Sequence, residues 1–146
     1  MEMEKETALT TDPAAGPYGV TPAPLPEPPR PNADALAVAH MVVDAASDKK
    51  AQDVLLLDVR GVASFTDYFV ICSATSERQI RAVADGIDEA LAERGVEPYK
   101  REGTPADGWV LLDYSDVVVH VFSPEQRAFY GLERLWERGR VVARLV

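Results

Sequence analysis

Apolar residues change their spacing in a fixed order along this chain, and that order predicts its elements. Through DALAVAHMVVDAASDKK they recur at helical spacing, with Leu36, Ala39, His40 and Val43 on one face and Asp34 placed to cap the start. The run Val54 to Val59 is too short and too branched for an independent helix and predicts a strand, after which Gly61 lets the chain turn away. Phe65 and Asp67 lie in the approach to a second strand, Tyr68 to Ala74. Ser76 can then cap a helix and Gln79 complete a reciprocal capping box, with Ile80, Val83, Ala84, Ile87 and Leu91 as the buried stripe and Gly95 as the stop. Extended pieces are expected at Glu97 to Arg101, Trp109 to Tyr114 and Val117 to Phe122. A last helix, capped by Ser123 and begun by Pro124, should reach roughly Glu137 before Gly139.

Strands that precede a helix leading back to more strands imply an α/β class domain, a compact mixed sheet of about five strands with flanking helices. The runs Leu55 to Leu57 and Val117 to Val119 are too continuously apolar to be wetted on one face, so they belong in the middle of the sheet. Residues 1–33 read as a disordered arm rich in proline and alanine, 34–138 as the domain, and 139–146 as a short C-terminal tail. Eight of the eleven prolines fall between Pro13 and Pro31, where apolar periodicity is lost. The stretch PAPLPEPP there can imitate a ligand for an aromatic groove, but a solvated extension is the simpler reading.

Charge narrows the partners. With 24 acidic and 15 basic residues the formal charge is -9, which disfavours long-range attraction to bare nucleic acid or an anionic membrane and favours a basic protein surface. The single cysteine, Cys72, sits inside an apolar run, and the start MEMEKETALT lacks the pattern of a secretory signal, so the expectation is a cytoplasmic protein without disulfides. Because no apolar stretch approaches about 18 residues, no membrane span is expected.

Candidate chemistry is sparse. His120 alternates with valines and has no neighbouring cysteine or second histidine, and His40 has no second ligand three or four positions away. Asp58, Asp67, Asp113 and Asp116 could gather a divalent cation at strand ends, yet strand-end aspartates ordinarily solvate turns. None of GxGxxG, GxxxxGK, CxxC, HExxH or GxSxG occurs, so no cofactor and no metal is expected. Trp109, Tyr130 and Trp136 exceed what a small sheet needs. Trp136 is expected in the core, while Trp109, beginning a strand after the polar REGTPADG, is expected as a partly exposed interface anchor. Arg127, Glu133, Arg134 and Glu137 would flank the last helix with charges that select a partner's register.

The blocks DVLLLDVRGVASFTDYFVICSATSERQIRAVAD and GWVLLDYSDVVVHVFSPEQRAFYGLERLW resemble the ribosomal silencing factor family, also called Iojap-like, over about Asp34 to Trp136. The resemblance implies a reduced nucleotidyltransferase-like fold without an active site. It further implies a translational repressor that binds the large ribosomal subunit through its protein number fourteen and sterically blocks joining of the small subunit under nutrient limitation. The second block matches the family's partner-binding region, which carries a protein-binding role onto Trp109, Leu112, Tyr114, Glu125, Arg127 and Tyr130. Asp67 and Tyr68 match a family stretch where a folding role is at least as apt. Ser115 stands where the family is expected to prefer glycine, which bears only on the shape of that turn. Two alternatives stay open: a homo-oligomeric scaffold pairing through a sheet edge and the aromatic patch, and a divalent-metal-dependent nucleotidyltransferase.

Overall fold

The computed structural model describes residues 32–145. The proline-rich arm lies outside them, apart from Asn32 and Ala33, which already belong to the first helix. In chain order the elements are α1 (Asn32–Asp48), β1 (Gln52–Asp58), β2 (Tyr68–Ser73), α2 (Glu77–Ala92), β3 (Lys100–Thr104), β4 (Trp109–Asp113), β5 (Val117–Phe122), α3 (Pro124–Tyr130), α4 (Leu132–Leu135) and β6 (Arg140–Leu145). One six-stranded sheet runs β3-β4-β5-β2-β1-β6. It is mixed: β2 and β5 pair in parallel, and every other neighbouring pair is antiparallel.

Every residue of β2 and β5 is buried, as double-sided apolar runs require. On one face Val54, Leu56, Val70, Cys72, Val110, Leu112, Val119 and Val121 pack under α1 and α2. On the other, Leu55, Leu57, Val59, Phe69, Ile71, Val118 and Phe122 meet Phe65, Trp109, Leu132 and Trp136. Burial lifts the Cys72 thiol to about 12, which makes it an inert core residue at neutral pH.

Several expectations are corrected. The strands number six, because the stretch expected as a tail forms β6 and pairs antiparallel with β1. The first helix starts at Asn32, ahead of Asp34, and its buried stripe is Ala35, Ala39, Val42, Val43 and Ala46, which leaves His40 exposed. Ser76 caps α2 by accepting from the Gln79 amide, but the Gln79 side chain returns to the amide of Thr75, one residue outside the reciprocal box. The third extended piece begins at Lys100 rather than Glu97. The end of α2 follows the sequence closely: Val96 N–H donates to Leu91 and Gly95 N–H to Ala92, with Gly95 at φ 77°.

The turn joining β4 to β5 shows what Ser115 costs. Its φ is 74°, and the Asp113 carboxylate accepts from its amide at 2.8 Å. An L residue is strained there, so Ser115→Gly should raise stability by about 0.5–1 kcal/mol in urea denaturation with an unchanged m-value. An unchanged or lower midpoint would contradict the strain.

Candidate functional site

Strand alternation divides the predicted site residues between two faces. Along β4, Trp109, Leu111 and Asp113 face one way while Val110 and Leu112 face α1 and α2. Leu112 is therefore sealed in the core, and Tyr114 is buried there too, its hydroxyl donating to Asp88. Burial, reinforced by that hydrogen bond, pushes the Tyr114 phenol up. Neither residue shares a surface with Trp109, because the two-residue period puts them on the opposite side of the sheet.

Trp109 lies half-buried in an aromatic row. Its ring centroid is 5.1 Å from Tyr130, 5.8 Å from Phe122 and 6.0 Å from His120. The row continues through Phe69, 5.6 Å from His120, to Trp136, 5.3 Å from Phe69; Trp136, expected in the core, is only half-buried and packs against the core from outside, as Trp109 does. Outward it ends at Phe129, edge-on to Tyr130 at 5.1 Å. Phe129 is 77% exposed and Tyr130 47%. The sequence pattern assigns Phe129 no role, although adjacent aromatics on a helix lie about 100° apart and cannot both face one core.

His120 is a partner to Trp109, a pairing that metal and nucleophile motifs do not reveal. The hairpin register places Leu111 opposite His120 and Trp109 opposite Phe122, so Trp109 and His120 are diagonal neighbours. The indole Nε1 donates to His120 Nδ1 at 3.1 Å. An indole N–H can only donate, so Nδ1 is the unprotonated nitrogen of a neutral imidazole. Burial lowers the His120 pKa to about 4.

Arg127 is expected from sequence on a charged flank, but it is only 7% exposed. Its Nη1 donates to the Asp53 carbonyl at 2.8 Å and to Ser73 Oγ at 2.9 Å, and its Nε donates to Glu133 at 2.9 Å. Its Nη2 lies 3.6 Å from the Asp53 carboxylate and has no hydrogen bond. The expected single last helix is in fact two, because Gly131 at φ 58° ends α3 and starts α4. A seven-residue helix has little stability of its own. Ser123 caps α3 by accepting from the Gln126 amide, and Arg127 ties it to β1, β2 and α4. Arg127 is thus a positioning residue for the aromatic surface, while Glu125 and Arg134 are exposed on the same segment. An open cavity of about 580 Å³ beside it is lined by Asp53, Ser73, Arg127, Glu133 and Arg134, among others.

The strand-end aspartates do not form a metal centre. Asp58 is ion-paired with Arg60 and Arg140, which hold its carboxyl below the usual range against the opposing effect of burial. The Asp113 carboxylate accepts from the Ser115 amide, and the backbone carbonyl of Asp116 accepts from the amides of Asp67 and Tyr68. Among the described residues no group of three or more His, Cys, Asp or Glu could hold a metal ion. No described helix is long and apolar enough to cross a membrane.

The structure is thus a mixed sheet that exposes aromatic rings at one end, while Asp58 at the other end is held in ion pairs. Comparison with known proteins supplies the family. The family model described as "Ribosomal silencing factor during starvation" matches residues 32–144, and the chain belongs to that family, whose members are non-catalytic regulators. Ribosomal silencing factor RsfS of Bacillus subtilis is 41% identical over 100 residues, covering 68% of this chain and 85% of its own. The factor of the same name from Halalkalibacterium halodurans is 43% identical over 97 residues, covering 66% and 83%. A crystal structure of a Bacillus halodurans protein superposes with a TM-score of 0.66 at 39% identity, covering 74% of this chain and 98% of that one. The protein is a ribosome-associated regulator.

Two measurements test this geometry. Unfolded histidine takes up a proton near pH 6.5 but buried His120 only near pH 4, so its contribution is fully present above 6.5 and is lost as pH falls toward 4. The loss should be on the order of 3 kcal/mol, and His120→Gln should flatten the pH dependence of unfolding in that window; an unaltered slope would refute the assignment. Arg127→Lys cannot reproduce the fork of donors and should lose about 2–4 kcal/mol in chemical denaturation.

Proposed function

We propose that this protein acts in the cytoplasm as a translational repressor, docking on the large ribosomal subunit through the surface around Trp109, Phe129 and Tyr130 and preventing the small subunit from joining. The contact is with the subunit's protein number fourteen, and repression operates when nutrients are limiting. The observation that carries this reading is the aromatic row, which runs from Trp136, packed against the core, to the exposed ring of Phe129. Large rigid rings are the anchors of protein interfaces, and they lose little conformational freedom on binding. Glu125 and Arg134 supply a polar rim, and net charge -9 assists encounter with a basic protein. Arg127 supports this surface from within by fastening α3, while Leu112 and Tyr114 belong to the core on the other face of the sheet. The same reading takes the scaffold as a reduced nucleotidyltransferase-like sheet whose carboxylates Asp58 and Asp113 are engaged in ion pairs and turns. Its domain is residues 34–138, extended by β6.

A second reading, self-association through a sheet edge, draws on β6, where Val141, Val142 and Leu145 are exposed on an outer strand. Concentration-dependent sedimentation with and without large subunits separates the two: competition between subunit binding and self-association places both on one surface.

Trp109→Ala should weaken binding to purified large subunits by about 2 kcal/mol, roughly 30-fold. Because Trp109 also holds His120, Phe129→Ala serves as the variant that leaves the core intact, with a loss of several-fold expected. Co-sedimentation followed by addition of small subunits reads both binding and joining. Wild-type affinity in both folded variants, or a protein that stays in the supernatant, would refute the docking surface.

A further inference from the structure

We infer that the cleft between the turn after β1 and the start of β6 is a phosphate-binding site for the backbone of an RNA. Its centre is Asp58, only 7% exposed, whose carboxylate accepts from Arg60 N and Nε at 3.0 Å, from Arg60 Nη2 at 2.8 Å and from Arg140 Nη2 at 2.8 Å. One buried carboxylate therefore fixes two guanidinium groups at the rim of the cleft. Arg60 is held further by the face of Tyr68, 5.5 Å from its guanidinium carbon. Each guanidinium has five N–H donors, of which Asp58 takes two side-chain donors from Arg60 and one from Arg140. A third arginine, Arg138, lines the same cavity of about 530 Å³ and has no ion-pair partner among the described residues.

The charge balance favours an anion. Asp58 and Asp67 oppose the three arginines, with Asp67 acting on Arg60, and Glu137 is exposed without lining the cleft. From Arg134 to Val146 the chain carries four arginines and one acidic residue, so the overall charge of -9 hides a basic end. Net charge governs long-range attraction, whereas local clustering governs contact once the partner is near. Preorganised planar forks match phosphate oxygens bidentately, which selects phosphate over a point-charge partner.

RNA as the source of the phosphate rests on the proposed ribosomal docking. Asp58, Tyr68 and Val117 share one end of the sheet, while Ser73, Phe122 and Trp109 share the other, roughly 17 Å away along β2. The cleft and the aromatic surface are thus two separate contacts on one rigid sheet, able to fix its orientation on a broad partner.

The test is fluorescence anisotropy of the full chain with a labelled single-stranded RNA oligonucleotide, at low and moderate salt. Arg138→Ala with Arg140→Ala removes two exposed side chains and should weaken binding about tenfold, lowering the salt slope by about 0.7 for each phosphate that is no longer neutralised. Phe129→Ala should leave oligonucleotide binding unchanged, so a failure of the cleft and a failure of the aromatic docking surface remain distinguishable. Wild-type RNA affinity in the double arginine variant overturns the proposal. Displacement of RNA by poly-glutamate of equal charge would instead make the cleft a site for an acidic protein, and binding of inorganic phosphate without RNA would make it a free-anion site; either result overturns the RNA assignment.

Discussion

Parallel pairing of β2 with β5 leaves both strands without a solvent face, and the other layers follow from that constraint. All of their residues are buried, so apolar cover is required on both sides of the sheet. The two long helices supply it on one side, where the stripe of Ile80, Val83, Ala84, Ile87 and Leu91 is continuous enough to form a conventional core. No long helix follows β5 to cover the other side. Aromatic side chains from β4, the loop before β2 and the α3–α4 segment do so instead, and large rings crossing a sheet leave their outermost members in solvent.

Core and exposed aromatic surface are therefore made from one material. His120 fills the row as a neutral ring because burial suppresses its charge, and its Nδ1 accepts the part-buried hydrogen bond of the Trp109 N–H. Arg127 plays the corresponding part for α3. A guanidinium reaching the Asp53 carbonyl, Ser73 and Glu133 fastens a helix too short to hold itself. Such a frame limits the ordering cost of binding, since the exposed rings are already oriented before a partner arrives.

The opposite end of the sheet follows a different electrostatic logic. There Asp58, which in sequence resembles one member of a metal-gathering set, serves as counter-ion to Arg60 and Arg140. Arg140 reaches it only because β6 pairs with β1, a contact between residues far apart in the chain. The second guanidinium on Asp58, and with it the basic lining of the cleft, is a consequence of that strand pairing.

Much of this is written in local pattern. Short continuous apolar runs determine β1, β2 and β5 and the helical period determines α2, and the cap at Ser123 and the stop at Gly95 fix helix ends, because those signals depend on neighbours within a few residues. Trp109, Tyr130 and Trp136 are legible as surplus aromatics from composition, but the depth at which each sits is not: Trp136 is half-buried like Trp109. Only tertiary structure decides that Leu112 and Tyr114 turn away from Trp109, that Arg127 is buried, that Phe129 is exposed, and that residues 140–145 become a strand. Which face of a strand is covered, which partner a guanidinium finds and whether a terminal segment has an edge to join all depend on contacts across tens of residues. Local propensity carries no information about those contacts.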